Sequence, residues 1–462
     1  LFIPARRGKI LPEFVMNKLK EKIKSKEAKI VVVGLGYVGL PVACLFAKAG
    51  FKVTGIDLDK KKITLINKGI SPLDSVEEGI EDLVGSAVKK GFYATPNYIV
   101  VKDAEVILVC VDTPVEANDH LPAYKALRGA LTSIGENLRS GTLVIVESTI
   151  APGTTTNLVI PTLQKSSGMK ANKDFYVGHC PERLMPTRIF KQLKTYPRVV
   201  GGLTPETGQV MVELYKNITS GDLDRTDPLT AEVTKTEENS FGDTLIAQAN
   251  ALALLAQSYG VDGREVIKLV RKIPGYWGSY LNPGPGVGGH CLPKDPYLKI
   301  MQLKRSGGEE KAKTLVAQLV NLTREINDYM PKNMAALIEE ALKEVKVVPK
   351  NATVALLGFA YKANTDDTRN SPTEALVKHL KGRVREVRIH DPFVREYQGD
   401  LETVLKGTNV LVLMCKHNDY AKIDLKKVKN LLATAAIVDG WNFFPKETAR
   451  KMGFVYKGVG NV

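Results

Sequence analysis

Residues 29 to 57 constrain the fold more than any other stretch. Lys29 to Gly34 is an apolar run, Lys-Ile-Val-Val-Val-Gly, that leads into Gly34-Leu-Gly36-Tyr37-Val38-Gly39. A helical pattern follows from Leu40 to Ala49, and a second apolar run from Phe51 to Ile56 ends at Asp57. Strand, glycine turn, helix, strand and acid in that order form a dinucleotide fingerprint in the context it requires. The glycines permit a tight turn, close approach of a pyrophosphate and close packing of helix on strand. The helix start offers N–H groups and a positive dipole end to phosphates. Asp57 is placed to accept hydrogen bonds from ribose hydroxyls, which favours NAD over a 2′-phosphorylated cofactor. Gly34, Gly36, Tyr37, Val38, Gly39 and Asp57 are therefore the expected cofactor contacts.

Further strands are expected at Val106–Val111, Leu143–Glu147, Phe175–His179 and Arg198–Gly201. The first three end in small or polar clusters: Asp112-Thr113-Pro114, Ser148-Thr149 followed by Pro152-Gly153-Thr154, and Cys180-Pro181-Glu182-Arg183. Ligands of open α/β sheets sit beyond the carboxyl ends of the strands, so these clusters belong near the reactive end of the cofactor. Thr230 to Tyr259 reads as one long helix stopped by Gly260. Lys235 and Asn239 lie four apart and share a face, either solvated or turned into a cleft. A second α/β unit begins near Asn351, with strands at Ala352–Gly358, Val387–His390, Asn409–Cys415 and Ala436–Asp439. Ser371-Pro372-Thr373-Glu374 reads as a helix cap. Lys362 and Arg369 follow the first of these strands, where phosphates would bind. This half has no glycine fingerprint, so it should hold a nucleotide by other means.

Between the two α/β halves lies Pro283 to Pro296, reading Pro-Gly-Pro-Gly-Val-Gly-Gly-His-Cys-Leu-Pro-Lys-Asp-Pro. Gly284, Gly286, Gly288 and Gly289 leave almost no side chain before Cys291, and the prolines stiffen the loop. A thiol so framed, with Lys294 and His290 nearby to lower its pKa, suggests a positioned nucleophile. The plainer alternative is a tight turn with a buried cysteine.

The totals bound the rest. The 462 residues suffice for about three domains. Lys+Arg 65 against Asp+Glu 50 leaves +15, yet the basic residues form no block. That excludes a nucleic-acid tail and fits a smaller anion such as a nucleotide. Five cysteines, an odd number, fit a reducing, cytoplasmic setting. No apolar run of about 18 residues suggests a membrane span. Leu1 to Lys26 is basic and lacks a signal-peptide core.

Taken together, the chain resembles the UDP-sugar 6-dehydrogenases, a family that includes UDP-glucose and UDP-N-acetylhexosamine dehydrogenases. The resemblance runs from Lys29 onward. It rests on the Gly34–Pro41 fingerprint, Glu147-Ser148-Thr149 with Pro152-Gly153-Thr154, and Pro181-Glu182-Arg183. It rests also on Thr234 to Asn239, on Gly284 to Cys291 with Asp295, on Gly358 to Lys362, and on Asp367 to Pro372. It implies an α/β fold of two Rossmann-like, doubly wound domains joined by a central long helix within a helical dimerisation domain. The implied boundaries are an extension at 1–28, an NAD domain at 29–210, a central dimerisation and catalytic domain at 211–330, and a UDP-sugar domain at 331–462. The implied activity is a two-step, NAD-dependent oxidation of the sugar C6 alcohol to a carboxylate, in a homodimer or higher homo-oligomer. Cys291 would be the nucleophile. Lys235 and Asn239 would stabilise the oxyanion. Asp295, Glu182 and Thr149 would share proton transfer and water positioning, without a division of labour among them. Thr113 and Thr149 join the cofactor contacts. Glu182, Arg183, Lys235, Asn239, Tyr280, Asn282, Gly288, Tyr361, Lys362 and Arg369 would bind substrate.

Some residues depart from the family pattern. Asp112 stands where a proline is common, Leu184-Met185-Pro186-Thr187 replaces a Pro-Gly, and Lys294 occupies a position the acetylhexosamine branch keeps apolar. The run before Cys291 nevertheless resembles that branch. UDP-N-acetyl-D-mannosamine is the expected substrate, with UDP-N-acetylglucosamine and UDP-glucose as alternatives. Other readings are a single-step hydroxyacid-type dehydrogenase, which leaves Cys291 and the second α/β unit unused, and an NAD-sensing or scaffold protein. Gly-His-Cys occurs at Gly178–Cys180 and at Gly289–Cys291. Adjacent His and Cys rarely ligate one metal together, so no metal site is expected.

Overall fold

The structure is a computed structural model that describes residues 12–73, 79–116, 121–183, 189–272, 282–301 and 309–461. It divides into two compact units, Leu1–Glu237 with Tyr297–Arg305, and Glu238–Pro296 with Ser306–Val462.

The first unit is built on an eight-stranded sheet. Its strands are β1 (Lys29–Val33), β2 (Lys52–Ile56), β3 (Tyr93–Thr95), β4 (Val106–Val109), β5 (Leu143–Val146), β6 (Tyr176–His179), β7 (Arg198–Gly202) and β8 (Leu223–Thr226), in the order β3-β2-β1-β4-β5-β6-β7-β8. All neighbours are parallel except β6 and β7. The central strands are continuous Val, Ile and Leu because helices cover both faces of the sheet. Alternation then sorts the residues: Ile30, Val32, Val106 and Leu108 join one core, while Val31, Val33, Ile107 and Val109 join the other.

The helix Pro12–Lys24, in the basic extension, is part of this unit. Met16, Leu19 and Ile23 recur at helical spacing and are buried in the first core. Its end is clasped by Glu105, which accepts from Lys22 Nζ at 2.9 Å, Lys29 N at 2.7 Å and Arg139 at 2.9 Å.

The second unit holds a five-stranded parallel sheet. Its strands are β9 (Thr353–Leu357), β10 (Glu386–His390), β11 (Val410–Leu413), β12 (Ala436–Asp439) and β13 (Val455–Gly458), in the order β10-β9-β11-β12-β13. The strand order reverses between β9 and β11, as it does between β1 and β4 in the first unit. Such switch points are where α/β sheets bind ligands. The 35-residue helix Glu310–Glu344 lays Met330, Met334, Leu337, Ile338 and Ala341 on one face of this sheet. The 32-residue helix Pro228–Tyr259 runs unbroken through the unit boundary.

In the second unit a buried polar chain joins the two long helices. Arg324 pairs with Asp243 at 2.6 Å and with Asp328 at 2.5 Å. Asn327 donates to Asp243 Oδ1 at 2.8 Å, and Asn250 donates to Asn327 at 2.9 Å. Burial pushes the Asp243 carboxyl up to about 6 against the pull of Arg324. No helix among the described residues is long and apolar enough to cross a membrane.

Glu105 supplies a pH-dependent test of the N-terminal clasp. Burial alone would raise its carboxyl pKa, but the donors from Lys22, Lys29 and Arg139 outweigh burial and hold it low. A depressed folded pKa stabilises above the unfolded value of about 4.3 and loses that stabilisation as pH falls through the folded value. Glu105→Gln should lower stability by about 1–3 kcal/mol at neutral pH. The gap between wild type and variant in a thermal melt should close as pH drops below about 4.

Candidate active site

The fingerprint glycines have separable reasons. Gly34 has φ +91, and a Cβ there would meet the Cys110 carbonyl oxygen at 2.6 Å. A Cβ on Gly39 would lie 1.8 Å from the Gly34 oxygen. Internal packing therefore demands these two. At Gly36 a Cβ would meet nothing within 4 Å, so packing does not explain it. An open backbone stretch at a helix start is what a pyrophosphate requires. The helix Gly39–Lys48 has no side-chain N-cap and no acid in its first turn, so no side chain competes for that position. Tyr37 and Val38 are half-buried on the same turn. Asp57, at the end of β2, accepts from Leu35 N at 2.9 Å and Asp59 N at 2.9 Å and stays partly exposed. Its nearest lysine is Lys62, at 4.0 Å. These residues fit a bound NAD.

The loops after β4 and β5 are stitched together beside this turn. Thr113 Oγ1 donates to the Thr149 carbonyl at 2.6 Å, and Ser148 Oγ donates to the Val111 carbonyl at 2.6 Å. Glu182 and Arg183 follow β6 and are half-buried, and Arg183 donates to the Pro197 carbonyl at 2.7 Å. Below them lies a buried group that motif reading misses because its members are far apart in sequence. Glu147 accepts from Tyr215 OH at 2.6 Å, Arg198 sits 4.0 Å from Glu147, and its guanidinium lies 4.9 Å from the Tyr215 ring centre. The replaced segment Leu184–Thr187 lies outside the described residues.

Within the second unit, the thiol loop is pressed onto the loop that follows β9. A Cβ on Gly288 would meet Tyr361 Cβ at 2.5 Å and the Asn370 carbonyl at 2.7 Å. A Cβ on Gly289, which has φ +90, would meet the Tyr361 ring at 2.7 Å. Gly289 N donates to the Arg369 carbonyl at 2.8 Å, and Asn370 Nδ2 donates to the Gly289 carbonyl at 2.9 Å. Farther back, Gly284 N donates to Asn250 Oδ1 at 3.0 Å, tying the loop to the polar chain between the long helices.

Cys291 stands just past this clamp. Its carbonyl accepts from Lys294 N at 3.0 Å and Asp295 N at 2.8 Å, which starts the helix Asp295–Met301. Asp295 is buried, accepts from Asn239 Nδ2, and pairs through Oδ1 with Lys294 Nζ at 2.8 Å. The structure thus brings Asn239, Asp295 and the Cys291 loop together. It also pairs the Lys294 ammonium, three residues after the thiol, with Asp295. Arg369, carried by the clamping turn, feels the charge of Cys291 and Tyr361. Hydrogen bonds from Arg369 to Asp367 raise the guanidinium pKa further above its already high value. Lys235 is buried one turn before Asn239 on the continuous helix.

Burial pushes Cys44 up to about 12 and Cys180 up to about 11, and it raises Cys110 and Cys415 as well. Cys291 is half-buried. Tyr361 and Lys362 are half-buried, Arg369 is exposed, and Asn282 accepts from Arg271 at 3.2 Å. Tyr280 lies outside the described residues. Among the described residues no cluster of His, Cys, Asp and Glu is arranged to hold a metal ion.

The second switch point reuses the first with a change. Gly358, with φ +92, packs against Cys415 as Gly34 packs against Cys110. Asp391, at the end of the second strand, accepts from Phe359 N at 2.6 Å and Ala360 N at 2.9 Å. His417 Nδ1 accepts from Asn364 N, so its Nε2–H donates to Asp391 at 3.0 Å. The amides of Phe359 and Ala360 are thereby used inside the protein.

Two switch-point sheets, one with an intact dinucleotide turn, define an NAD-dependent oxidoreductase with a second nucleotide-binding domain. Three family models match: the NAD binding domain of the UDP-glucose/GDP-mannose dehydrogenase family at residues 28–219, its central domain at 229–329 and its UDP binding domain at 355–446. The UDP-N-acetyl-D-mannosamine dehydrogenase of Pyrococcus horikoshii is 37% identical over 433 residues, 94% of this chain and 99% of that protein. Its solved structure superposes with a TM-score of 0.86 over the same shares of both chains. The NDP-N-acetyl-D-galactosaminuronic acid dehydrogenase of Methanosarcina mazei follows at 0.82, 35% identical over 96% of this chain and 98% of its own. The UDP-glucose dehydrogenase of Pyrobaculum islandicum gives 0.81 at 26% identity, with all of both chains covered. The chain belongs to the UDP-glucose/GDP-mannose dehydrogenase family, and it is an NAD-dependent UDP-sugar dehydrogenase.

The clamp on the thiol loop makes a sharp expectation. Gly288→Ala must displace Tyr361 or the Asn370 turn, moving Cys291 and Arg369 together. Its kcat should fall by about a hundredfold, the cost of roughly an ångström of misplacement, while NAD affinity stays at the wild-type value. A fully active Gly288→Ala enzyme would show that the contact does not set the thiol.

Proposed function

We propose that the chain oxidises C6 of a UDP-N-acetylhexosamine, with UDP-N-acetyl-D-mannosamine as its substrate, to the uronate. The observation that carries this reading is the 37% identity, across 99% of its length, to the relative that bears that activity in its name. The Gly-Pro-Gly-Val-Gly-Gly-His-Cys run before the helix at Asp295 supports it.

The chemistry follows from the residues. A base takes the C6 hydroxyl proton as C6 gives up a hydride. Two NAD molecules, held in turn at the Gly34–Gly39 turn and Asp57, would each accept one hydride. The resulting aldehyde has no hydride to give in usable form until a nucleophile adds. The Cys291 thiolate adds to C6 and forms a thiohemiacetal. Loss of the second hydride leaves a thioester, and water hydrolyses it to carboxylate and free thiol. Lys235 and Asn239 stabilise the oxyanion on C6. Asp295, held by Asn239 and Lys294, is the candidate to move protons near the thiol, with Glu182 and Thr149 on the cofactor side. Arg369 and Lys362 serve the UDP diphosphate, Tyr361 lines its site, and Arg183 and Asn282 complete the substrate contacts.

The exposed Leu315, Leu319 and Leu322 recur at helical spacing on the Glu310–Glu344 helix, and Phe241, Leu255 and Tyr259 are exposed on the other long helix. Apolar stripes of this kind fit a homodimer built on the long helices. Five free cysteines fit a cytoplasmic enzyme.

Counting NADH across a panel of UDP-sugars tests the reading. Two NADH per sugar, with the highest kcat/KM for UDP-N-acetyl-D-mannosamine, is expected. One NADH per sugar would leave a single-step dehydrogenase, and a preference for another UDP-sugar would reassign the substrate. Cys291→Ser should lose turnover by several orders of magnitude, because serine is not ionised at neutral pH. A serine enzyme that still makes uronate at near wild-type rate would falsify the covalent route. Arg369→Ala should raise KM for the UDP-sugar and leave NAD affinity nearly unchanged, and the reverse pattern would overturn its assignment to the diphosphate.

A further inference from the structure

Glu232 lies on the Pro228–Tyr259 helix, three residues before Lys235, and is 1% exposed. Its carboxylate reaches a turn almost eighty residues away. Oε2 accepts from Gly153 N at 2.5 Å, and Oε1 accepts from Thr155 N at 2.7 Å and Thr155 Oγ1 at 2.6 Å. Gly153 has φ +83, so the turn is bent back to present its amides. This turn continues the segment that carries Ser148 and Thr149, which Thr113 and Ser148 already fix to the sheet. Its other anchor is Tyr124, whose hydroxyl accepts from Ala151 N at 2.7 Å. These ties come from the Rossmann sheet and its own helices, whereas that of Glu232 comes from the long helix.

We propose that Glu232 is a positioning residue that couples the helix bearing Lys235 to the Thr149–Thr155 segment, and so sets the Lys235 ammonium for C6 oxidation. This rests on the reading of Lys235 given above. A local Ser, Thr or Asn would cap such a turn at less cost. A carboxylate from a distant helix instead pays for burial. Its pKa is pushed up to about 7, first by burial and further by Asp227, against the pull of its three donors. Asp227 is itself committed to Thr230 N and Oγ1. What the distant carboxylate adds is a fixed distance between two elements. Residues three apart share a helix face, so a shift of Glu232 carries Lys235 with it.

The substitution Glu232→Gln discriminates. Its carbonyl oxygen can still accept from Thr155, but its amide would face Gly153 N donor to donor. We expect kcat to fall by about ten- to a hundredfold, with both KM values within about threefold of wild type. A double-mutant cycle with Lys235→Ala then separates positioning from folding. If Glu232 acts through Lys235, adding Glu232→Gln to Lys235→Ala should cost almost nothing more. Multiplicative losses, or a Glu232→Gln enzyme with wild-type kcat, would overturn the proposal. Should Glu232→Gln fail to fold, Thr155→Val removes one donor without touching the helix, and it should show a smaller kcat loss with the same non-additivity. Lys235→Ala measured alone keeps the two readings apart. Full activity there would remove the role of Lys235, and Glu232 would have nothing to position. A crippled Lys235→Ala beside an unaffected Glu232→Gln and Thr155→Val would reject only the coupling.

Discussion

The absence of two β-carbons decides where the thiol stands. Tyr361 and the Asn370 carbonyl fill the space that side chains on Gly288 and Gly289 would need. With both polar groups of Gly289 bonded to the Arg369–Asn370 turn, the loop has no freedom to slide. Protein interiors transmit displacement because they are close-packed, and contacts at van der Waals distance leave no slack. The thiol two residues on and the guanidinium of Arg369 therefore belong to one rigid piece. In the proposed reaction that rigidity means the groups that hold the nucleotide also hold the nucleophile. Binding energy from the remote diphosphate can then be spent on orienting C6.

The two sheets solve one problem in two ways. Each puts a positive-φ glycine after its first strand, a cysteine after its neighbour and an aspartate after its second strand: Gly34, Cys110 and Asp57, then Gly358, Cys415 and Asp391. In the first unit the acid accepts from one amide of the glycine loop and from Asp59 N and stays partly exposed. In the second, Asp391 is fully buried, accepts from two amides of the glycine loop and from the amides of Phe393 and Val394, and takes a further bond from His417. Burial would raise its pKa, but these donors outweigh it and hold the carboxyl below its usual range. A carboxylate so satisfied is a structural brace. In the proposed reading the diphosphate is met by the long cationic side chains of Lys362 and Arg369 instead of by those amides.

Much of this was legible because it is local. The strand–turn–helix–strand of residues 29–57, the apolar runs of the sheet centres and the stiff loop before Cys291 each declare themselves within a short window. The edges did not. β3 has three residues, β8 reads Leu-Asp-Arg-Thr without an apolar run, and β13 alternates Val-Tyr-Lys-Gly. Edge strands bury one side at most, so their sequences carry little signal. The helix Glu310–Glu344 carries Pro331 inside it, and in a sequence a proline normally argues for a break. The roles of side chains depended on distant partners. Nothing near Lys294 in sequence announces its ion pair with Asp295, which only the fold shows. Glu232 likewise looks like an ordinary helical acid until Gly153 and Thr155 are brought to it.

The polar chain from Arg324 through Asp243, Asn327 and Asn250 to Gly284 completes the logic of the second unit. A buried ion pair is weak evidence for stability, since apolar residues of the same volume often serve as well or better. Its geometry, however, is directional. Leucines in those places would let the two long helices rotate or slide by a fraction of a turn at little cost, whereas the amide and guanidinium bonds are satisfied in one register only. Because the last link is Gly284 N, that register is passed to the start of the thiol loop. The loop is thus pinned at one end by the helix pair and at the other by the Arg369–Asn370 turn. A cysteine on a glycine-rich segment can be as well placed as one on a helix when both ends of its segment are fixed this way.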